Sequence, residues 1–395
     1  RWLHVIAAIA WIGESFYFVM QDNSLREPEN PADRRPEVQG ELWMVHGGGF
    51  YHNLKYTTAP GAVPTHLHWE FLKAYTTWLS GFALFGVIYL ADPHLQLITP
   101  SADWHWAARM TGWQADLLAV LFLLFGWLVY DELCTRISPR MQHDGALSAA
   151  VAVMMVVVAY LTDQIFPGKA AFLLTGAVMA TCMTANVAFW IIPGQRRMVA
   201  AIKAGEIPDP LDGKRGKQRS VHNTYFTLPV VFLMLSNHFP LVFGSRYAWE
   251  LMVLFIFAGA LIRQFFVLMH ARTIRPLYPI VGVFLIIVAL VVAAPVQELF
   301  ARATGGHETG SATTFAEVQP IIAARCVGCH SAHPTEPGFT APPLGIELEK
   351  KQTLLHLGGK IKEVVASRFM PLGNATHMTE KERKIIADWV PESGK

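Results

Sequence analysis

Along most of this chain apolar residues come in blocks instead of alternating with polar ones. Eight stretches of roughly 20 residues carry almost no charge: 2–20, 71–90, 113–130, 146–162, 170–192, 221–239, 249–269 and 278–299. A bilayer core of about 30 Å is crossed by about 20 apolar helical residues, so each block predicts a membrane-spanning helix. The first block shows neither a charged leader nor a small-residue cleavage site and reads as a retained helix. Residues 301–312, with Gly305, Gly306, Gly310 and Ser311, read as a flexible linker. Beyond it the pattern shortens. Residues 315–324 and 379–390 predict two small helices, the second opened by a Thr379/Glu382 capping box and carrying Ile385, Ile386, Trp389 and Val390 at helical spacing. The expected architecture is all-α: an eight-helix transmembrane bundle over 1–300, the linker, and a small domain over 313–395.

Charge orients the bundle. One set of loops holds Arg26, Arg34, Arg35 and Lys55, then Arg136 and Arg140, then Arg196, Arg197, Lys203, Lys214, Arg215, Lys217 and Arg219, then Arg272 and Arg275. The alternate loops, 91–112, 163–169 and 240–248, hold only Arg109, Lys169 and Arg246. Basic loops stay in the cytoplasm, so the C-terminal domain is expected in the periplasm of a bacterial inner membrane. Mean hydropathy of +0.31 with 16% charged residues excludes an ordinary soluble protein. The net charge of +2 is accounted for by topology and gives no reason to expect nucleic acid as a partner. No internal repeat or Gly-rich nucleotide loop is present.

The chemistry concentrates in few residues. Cys326-Val-Gly-Cys329-His330 is C-x-x-C-H, the attachment sequence of a c-type haem, with two thiols for the vinyl groups and an imidazole for the iron. The plainer alternative is a redox or zinc C-x-x-C pair. A soft sixth ligand is expected from Met370, which precedes Pro371 and so sits in extended backbone, with Met378 as the alternative. With its two flanking helices, this segment resembles the small class I cytochromes c, and that likeness implies that Pro342 or Pro343 supplies a carbonyl to steady His330. Cys134 and Cys182 lie in or beside spans and read as packing residues.

Membrane histidines are the place for further redox centres. His4 and His238 fall near the outer ends of their spans and are candidate ligands of a b-type haem. His222, His270, His66 and His68 fall at the inner face, as a second haem site or as substrate and proton-transfer groups. His222 and His238 are 16 residues apart, roughly 24 Å along a helix, and cannot share one iron. Each of these histidines has the alternative of an ordinary hydrogen bond to a headgroup or neighbouring helix. Glu14, Asn186, Arg263 and Gln264 should face the bundle interior. Arg263 with Gln264 could hold a planar anion between aromatic walls, or Arg263 could simply pair with Glu14 or a carbonyl. The glycine- and aromatic-rich loop 41–56 reads as a cap over the inner face, or as a re-entrant packing segment.

Four segments carry a family resemblance: Arg1-Trp-Leu-His4 through Trp11-Ile-Gly13, Met44-Val-His46-Gly-Gly-Gly-Phe-Tyr-His52, Thr65-His66-Leu-His68-Trp69-Glu70, and Ser220-Val-His222-Asn-Thr-Tyr-Phe. Together with the fused C-x-x-C-H they resemble the bacterial membrane-bound urate oxidases, over essentially the whole chain. The resemblance implies oxidation of urate with water to 5-hydroxyisourate, covalent haem c, a respiratory-chain electron acceptor as partner, and no hydrogen peroxide. Two electrons per urate against a one-electron carrier argue for one or more haem b in the membrane domain. His66, His68, Glu70 and His222 are the candidates for a general base. A quinol-oxidising haem module and a permease with a redox-sensing tail are the other classes that the residues allow.

Overall fold

A computed structural model describes residues 1–57, 60, 63–99, 102, 104–293, 313–336, 339–366 and 369–389. The expected linker at 301–312 and the end of the last apolar block lie outside the described residues. The apolar blocks fold as helices: α1 (Trp2–Asn23), α2 (Leu72–Phe85, continued by a π turn, Gly86–Leu90), α4 (Gly112–Ile137), α5 (Asp144–Ile165), α6 (Gly168–Ala185), α8 (Pro210–Leu235), α10 (Ala248–His270) and α11 (Leu277–Ala293). Helix α6 runs through a second π turn, Asn186–Ile191, into α7 (Ile192–Lys203), and two short helices, α3 (Pro93–Gln96) and α9 (Pro240–Phe243), lie in the connections.

Five segments among the described residues are long and apolar enough to cross a membrane: Trp2–Asn23, Gly112–Ile137, Asp144–Ile165, Gly168–Lys203 and Ala248–His270. Two of the other three blocks fall short for visible reasons, and the rest of the third, beyond Ala293, lies outside the described residues. Helix α2 changes to π geometry after 14 residues. Helix α8 starts at Pro210, so its first three turns carry Asp212, Lys214, Arg215, Lys217 and Arg219. Helix α11 is described for 17 residues. Leu79, Val87, Trp113, Phe125, Val153, Phe189, Ile280 and Phe284 stand exposed on outer helix faces, a covering that suits a hydrocarbon solvent.

Successive helices alternate between two ends. At one, Asn23 of α1 donates to the Val267 carbonyl of α10 at 3.2 Å, Lys217 of α8 meets Asp22 at 3.5 Å, and Gln218 donates to Asp144 at the start of α5 at 2.6 Å. The basic loops gather here. At the far end, the Tyr89 hydroxyl donates to Asn237 at 3.1 Å, while Gly112 packs on Pro93 and His94 and Gly168 packs on Phe243.

The all-α expectation needs one correction. The segment expected to cap the inner face is an antiparallel hairpin, β1 (Val38–His46) paired with β2 (Gly49–Tyr56). Its β-branched and aromatic positions suit a pleated ribbon, and the turn needs positive φ at both central residues, which Gly47 (59°) and Gly48 (81°) adopt without a Cβ clash. Lys55 pairs with Asp22 and ties β2 to the end of α1.

The C-terminal residues build a separate core from Val318, Ile322, Leu348, Leu354, Ile361, Val365, Met378, Ile386 and Trp389. Around it lie α12 (Phe315–Arg325), α13 (Lys351–Ala366) and α14 (Glu380–Asp388). The expected Thr379/Glu382 capping box closes the start of α14, and Thr314/Glu317 forms another on α12. Helix α13 has no counterpart in the pattern-based expectation.

Candidate functional site

Arg263 is the most informative side chain in the bundle. It is 2% exposed on α10, and its guanidinium carbon lies 4.1 Å from the Phe16 ring centroid on α1. Its Nε and Nη2 have no hydrogen-bond partner among the described residues. Unpaired guanidinium donors buried away from water carry a large desolvation cost, so such a group is expected where an anion completes it. Polar side chains occupy adjoining positions on the packed helices: Tyr225 of α8 donates to Gln264, and Ser15 of α1, next to Phe16, lies 3.5 Å from Thr224. The simpler alternative of an Arg263–Glu14 pair is not what forms, because Glu14 is engaged by Lys73.

That engagement builds a polar chain toward the surface. Lys73 Nζ lies 3.0 Å from Glu14 and 2.5 Å from Glu70, and Glu70 lies 2.8 Å from His68 Nε2. The chain runs from Glu14 at 15% exposure to His68 at 84%. The hydrogen bond from Lys73 holds the Glu70 carboxyl below the usual carboxylate range. His66 stands exposed in the same approach to α2, and His270 ends α10 at this end of the bundle.

A second polar cluster centres on His222. Its Nδ1 lies 2.8 Å from the Tyr130 hydroxyl and 3.9 Å from Cys134 Sγ. Asn186 donates to Tyr130 at 2.9 Å and to Asn223 at 2.8 Å. Arg219 lies over the Trp190 ring at 4.9 Å and donates to Asp131 at 2.8 Å, and Trp190 donates to the same carboxylate oxygen at 2.7 Å. The π turn aims both Asn186 and Trp190 inward, a common use of such bulges. Four consecutive residues of α8 thereby serve both clusters: His222 and Asn223 meet α4 and α6, while Thr224 and Tyr225 meet α1 and α10.

At the far end His4 Nδ1 lies 3.0 Å from the Thr77 carbonyl and 3.3 Å from Ser80 Oγ. A Cβ on Gly81 would approach the His4 ring to 2.8 Å, so the glycine makes room for the imidazole. His238 is exposed in the turn after α8, beside the Asn237 that meets Tyr89. Tyr89 is eight residues beyond Gly81 along α2, a rise of roughly 12 Å. The two imidazoles therefore sit at different depths.

In the C-terminal domain α12 ends at Arg325, and the next turn brings Cys326 and Cys329 to one side, with the Cys329 N–H donating to the Cys326 carbonyl at 3.2 Å. His330 Nδ1 lies 3.2 Å from the Ile346 carbonyl, which leaves Nε2 free. The expected carbonyl from Pro342 or Pro343 is corrected by this contact: those prolines shape the Pro343–Gly345 turn that delivers Ile346. Met378 is buried in the domain core, while Met370 is half-buried on the loop beneath α14. Arg383 fixes that loop, donating to the carbonyls of Val365 (3.0 Å) and Met370 (2.8 Å) and to Asn374 Oδ1 (3.0 Å).

Lys73, Phe16, Tyr130, Asp131 and Arg383 were not singled out from sequence, and Arg219 entered only as a basic-loop residue. An in-span tyrosine and a charged first half of α8 were the only signals available for this group. No curated protein and no solved structure matches this chain. Residues 1–294 match the family model described as urate oxidase N-terminal, and with about three quarters of its length so matched the chain belongs to that family.

Proposed function

We propose that the protein is a membrane-bound urate oxidase that passes electrons through its C-terminal domain to a respiratory-chain acceptor. The overall reaction is urate plus water giving 5-hydroxyisourate, two electrons and two protons, with no hydrogen peroxide formed. The observation that carries the substrate assignment is the buried, unpartnered guanidinium of Arg263 within the family-matched region. Urate is a planar anion at neutral pH, and a rigid guanidinium fork offers it two parallel donors. Gln264, oriented by Tyr225, adds an amide edge beside the fork.

Protons need a route out. Glu70 and His68, linked through Lys73 to Glu14, form a chain from the bundle interior to the surface and are the preferred base and exit path. His222 keeps Nδ1 on Tyr130 and is the alternative base on the opposite side of α8.

The C-terminal domain fits a covalent haem c. Cys326 and Cys329 would form the thioethers, His330 with its Nδ1 held by Ile346 would be one axial ligand, and Met370, or else Met378, the other. That group supplies one-electron transfer at a potential set by its axial pair. For a b-type haem in the bundle, His4 fits best, since its Nδ1 contact leaves Nε2 available. His238 is a weaker second ligand at a different depth, and His270 belongs to the basic end. The membrane reading places the basic loops in the cytoplasm and the C-terminal domain in the periplasm.

The test is anaerobic addition of urate to oxidised, detergent-purified protein while haem c absorbance is followed. Saturable reduction is expected. No reduction by urate, with reduction by a quinol intact, overturns the proposal in favour of a quinol-oxidising module.

A further inference from the structure

Among the described residues, one aromatic ring pair joins the C-terminal domain to the bundle. Phe369, the residue before Met370, leaves its own domain's core and joins the bundle's, with its ring centroid 5.8 Å from Phe243 of α9 at an interplanar angle of 65°. The turn Leu372–Asn374 packs on α3 beside it. We infer that this contact, Phe369 on the platform of α9 and α3, is the docking face through which electrons from the bundle enter the C-terminal domain. The inference rests on the function proposed above and deepens it by naming where the two redox parts meet.

Both sides are built to hold the contact still. On the bundle side Phe243 is 5% exposed, and a Cβ on Gly168 would lie 1.9 Å from the Phe243 carbonyl oxygen, so α9 is seated against the start of α6 with no room for a side chain between them. On the other side Arg383 fastens the loop at Val365, Met370 and Asn374, which flank Phe369. The position also suits the purpose. Phe243 lies five residues after His238, and α3 follows the π turn that carries Tyr89, whose hydroxyl meets Asn237. Phe369 is covalently adjacent to the preferred axial methionine. Tunnelling rates fall steeply with the gap, so an aromatic edge in contact next to that ligand is where a short route is available. Each urate releases two electrons, so the contact is crossed twice per turnover. In the haem-loaded protein each crossing would carry one of the two electrons released by urate across this contact to haem c, which would pass it on to the external acceptor.

Two measurements on the full-length haem-loaded protein test this. In rapid mixing with urate, Phe369→Ala and Phe243→Ala should slow haem c reduction at least tenfold, while Phe369→Leu retains most of the rate. The haem c spectrum and midpoint potential should stay unchanged, as should urate turnover with a small ferrocenium acceptor that bypasses the domain. Rates within twofold of the parent protein in both alanine variants would overturn the inference. The second measurement needs no substrate: Phe243→Cys with Phe369→Cys should be joined by a short bis-maleimide. Cys134 and Cys182 are buried, and in the haem-loaded protein Cys326 and Cys329 would be held in thioethers. Because this variant lacks both rings, its rate is compared with the same variant before cross-linking: a cross-linked protein that reduces haem c at least as fast as the unlinked double variant supports the docking face. Failure to cross-link, or cross-linking that stops the residual transfer while dithionite still reduces the haem, overturns it. Absence of urate-driven reduction in the parent protein counts against the urate reading, and the cross-link then decides the docking face alone.

Discussion

A buried arginine with two idle donors is either a folding defect or half of a binding site, and Arg263 is far too costly for the first. Removing its charge should relieve the cost of burial and abolish the fork together. Arg263→Gln is therefore expected to leave thermal stability equal or higher while weakening urate binding roughly 10–100-fold, the worth of a charge-assisted pair of about 1.5–3 kcal/mol. Equilibrium binding and a thermal melt on the same preparation check both halves. Unchanged affinity would remove Arg263 from the substrate site. Glu70 gives a prediction with a definite pH window. Its carboxyl is held below its ordinary 4.5 by Lys73, so the folded state favours the charged form, and the stabilisation is present above about pH 4.5 and lost as pH falls through the lower folded value. The melting difference between the parent protein and Glu70→Gln should accordingly be full near neutrality and vanish under acid. A difference that persists at low pH would show that Glu70 acts by packing, without its charge.

At the level of elements, Gly168 is a position where backbone meets backbone. Gly168→Ala puts a methyl 1.9 Å from the Phe243 carbonyl oxygen, so α9 must retreat from α6. A loss of about 1–3 kcal/mol is expected, together with slower electron entry into the C-terminal domain; a melt and the rapid-mixing assay read them separately. Which elements were legible in the sequence follows from how each is stabilised. The long helices were, because a hydrocarbon-length apolar run has few other folds open to it. So was the Thr379/Glu382 cap, a purely local device. The hairpin was obscured because its aromatic residues are mostly exposed and the glycine run 47–49 reads equally well as a loop. Helix α13 was missed because its apolar face, Leu354, Ile361 and Val365, is short and broken by Gly358 and Gly359. The pairing of Lys73 with Glu14 joins residues 59 positions apart, and no local pattern announces a contact of that range.

For the whole molecule, the separation into two cores means that substrate chemistry and electron export can fail independently. The proposed substrate groups Arg263, Gln264 and Glu70 lie toward the basic end of the bundle, while Phe243, Tyr89 and His4 lie toward the other, so on the proposed function the helices span the interval between oxidation and exit. Cys326→Ser with Cys329→Ser removes the covalent anchors without touching either the bundle or the Arg383 clamp. The variant should bind urate within about twofold of the parent protein, since none of the residues around Arg263 contacts the changed ones. It should lose all transfer to a respiratory acceptor, yet turn over urate when ferrocenium is supplied. Loss of urate binding in that variant would mean that the C-terminal domain shapes the substrate site, and the two halves would have to be regarded as one catalytic unit.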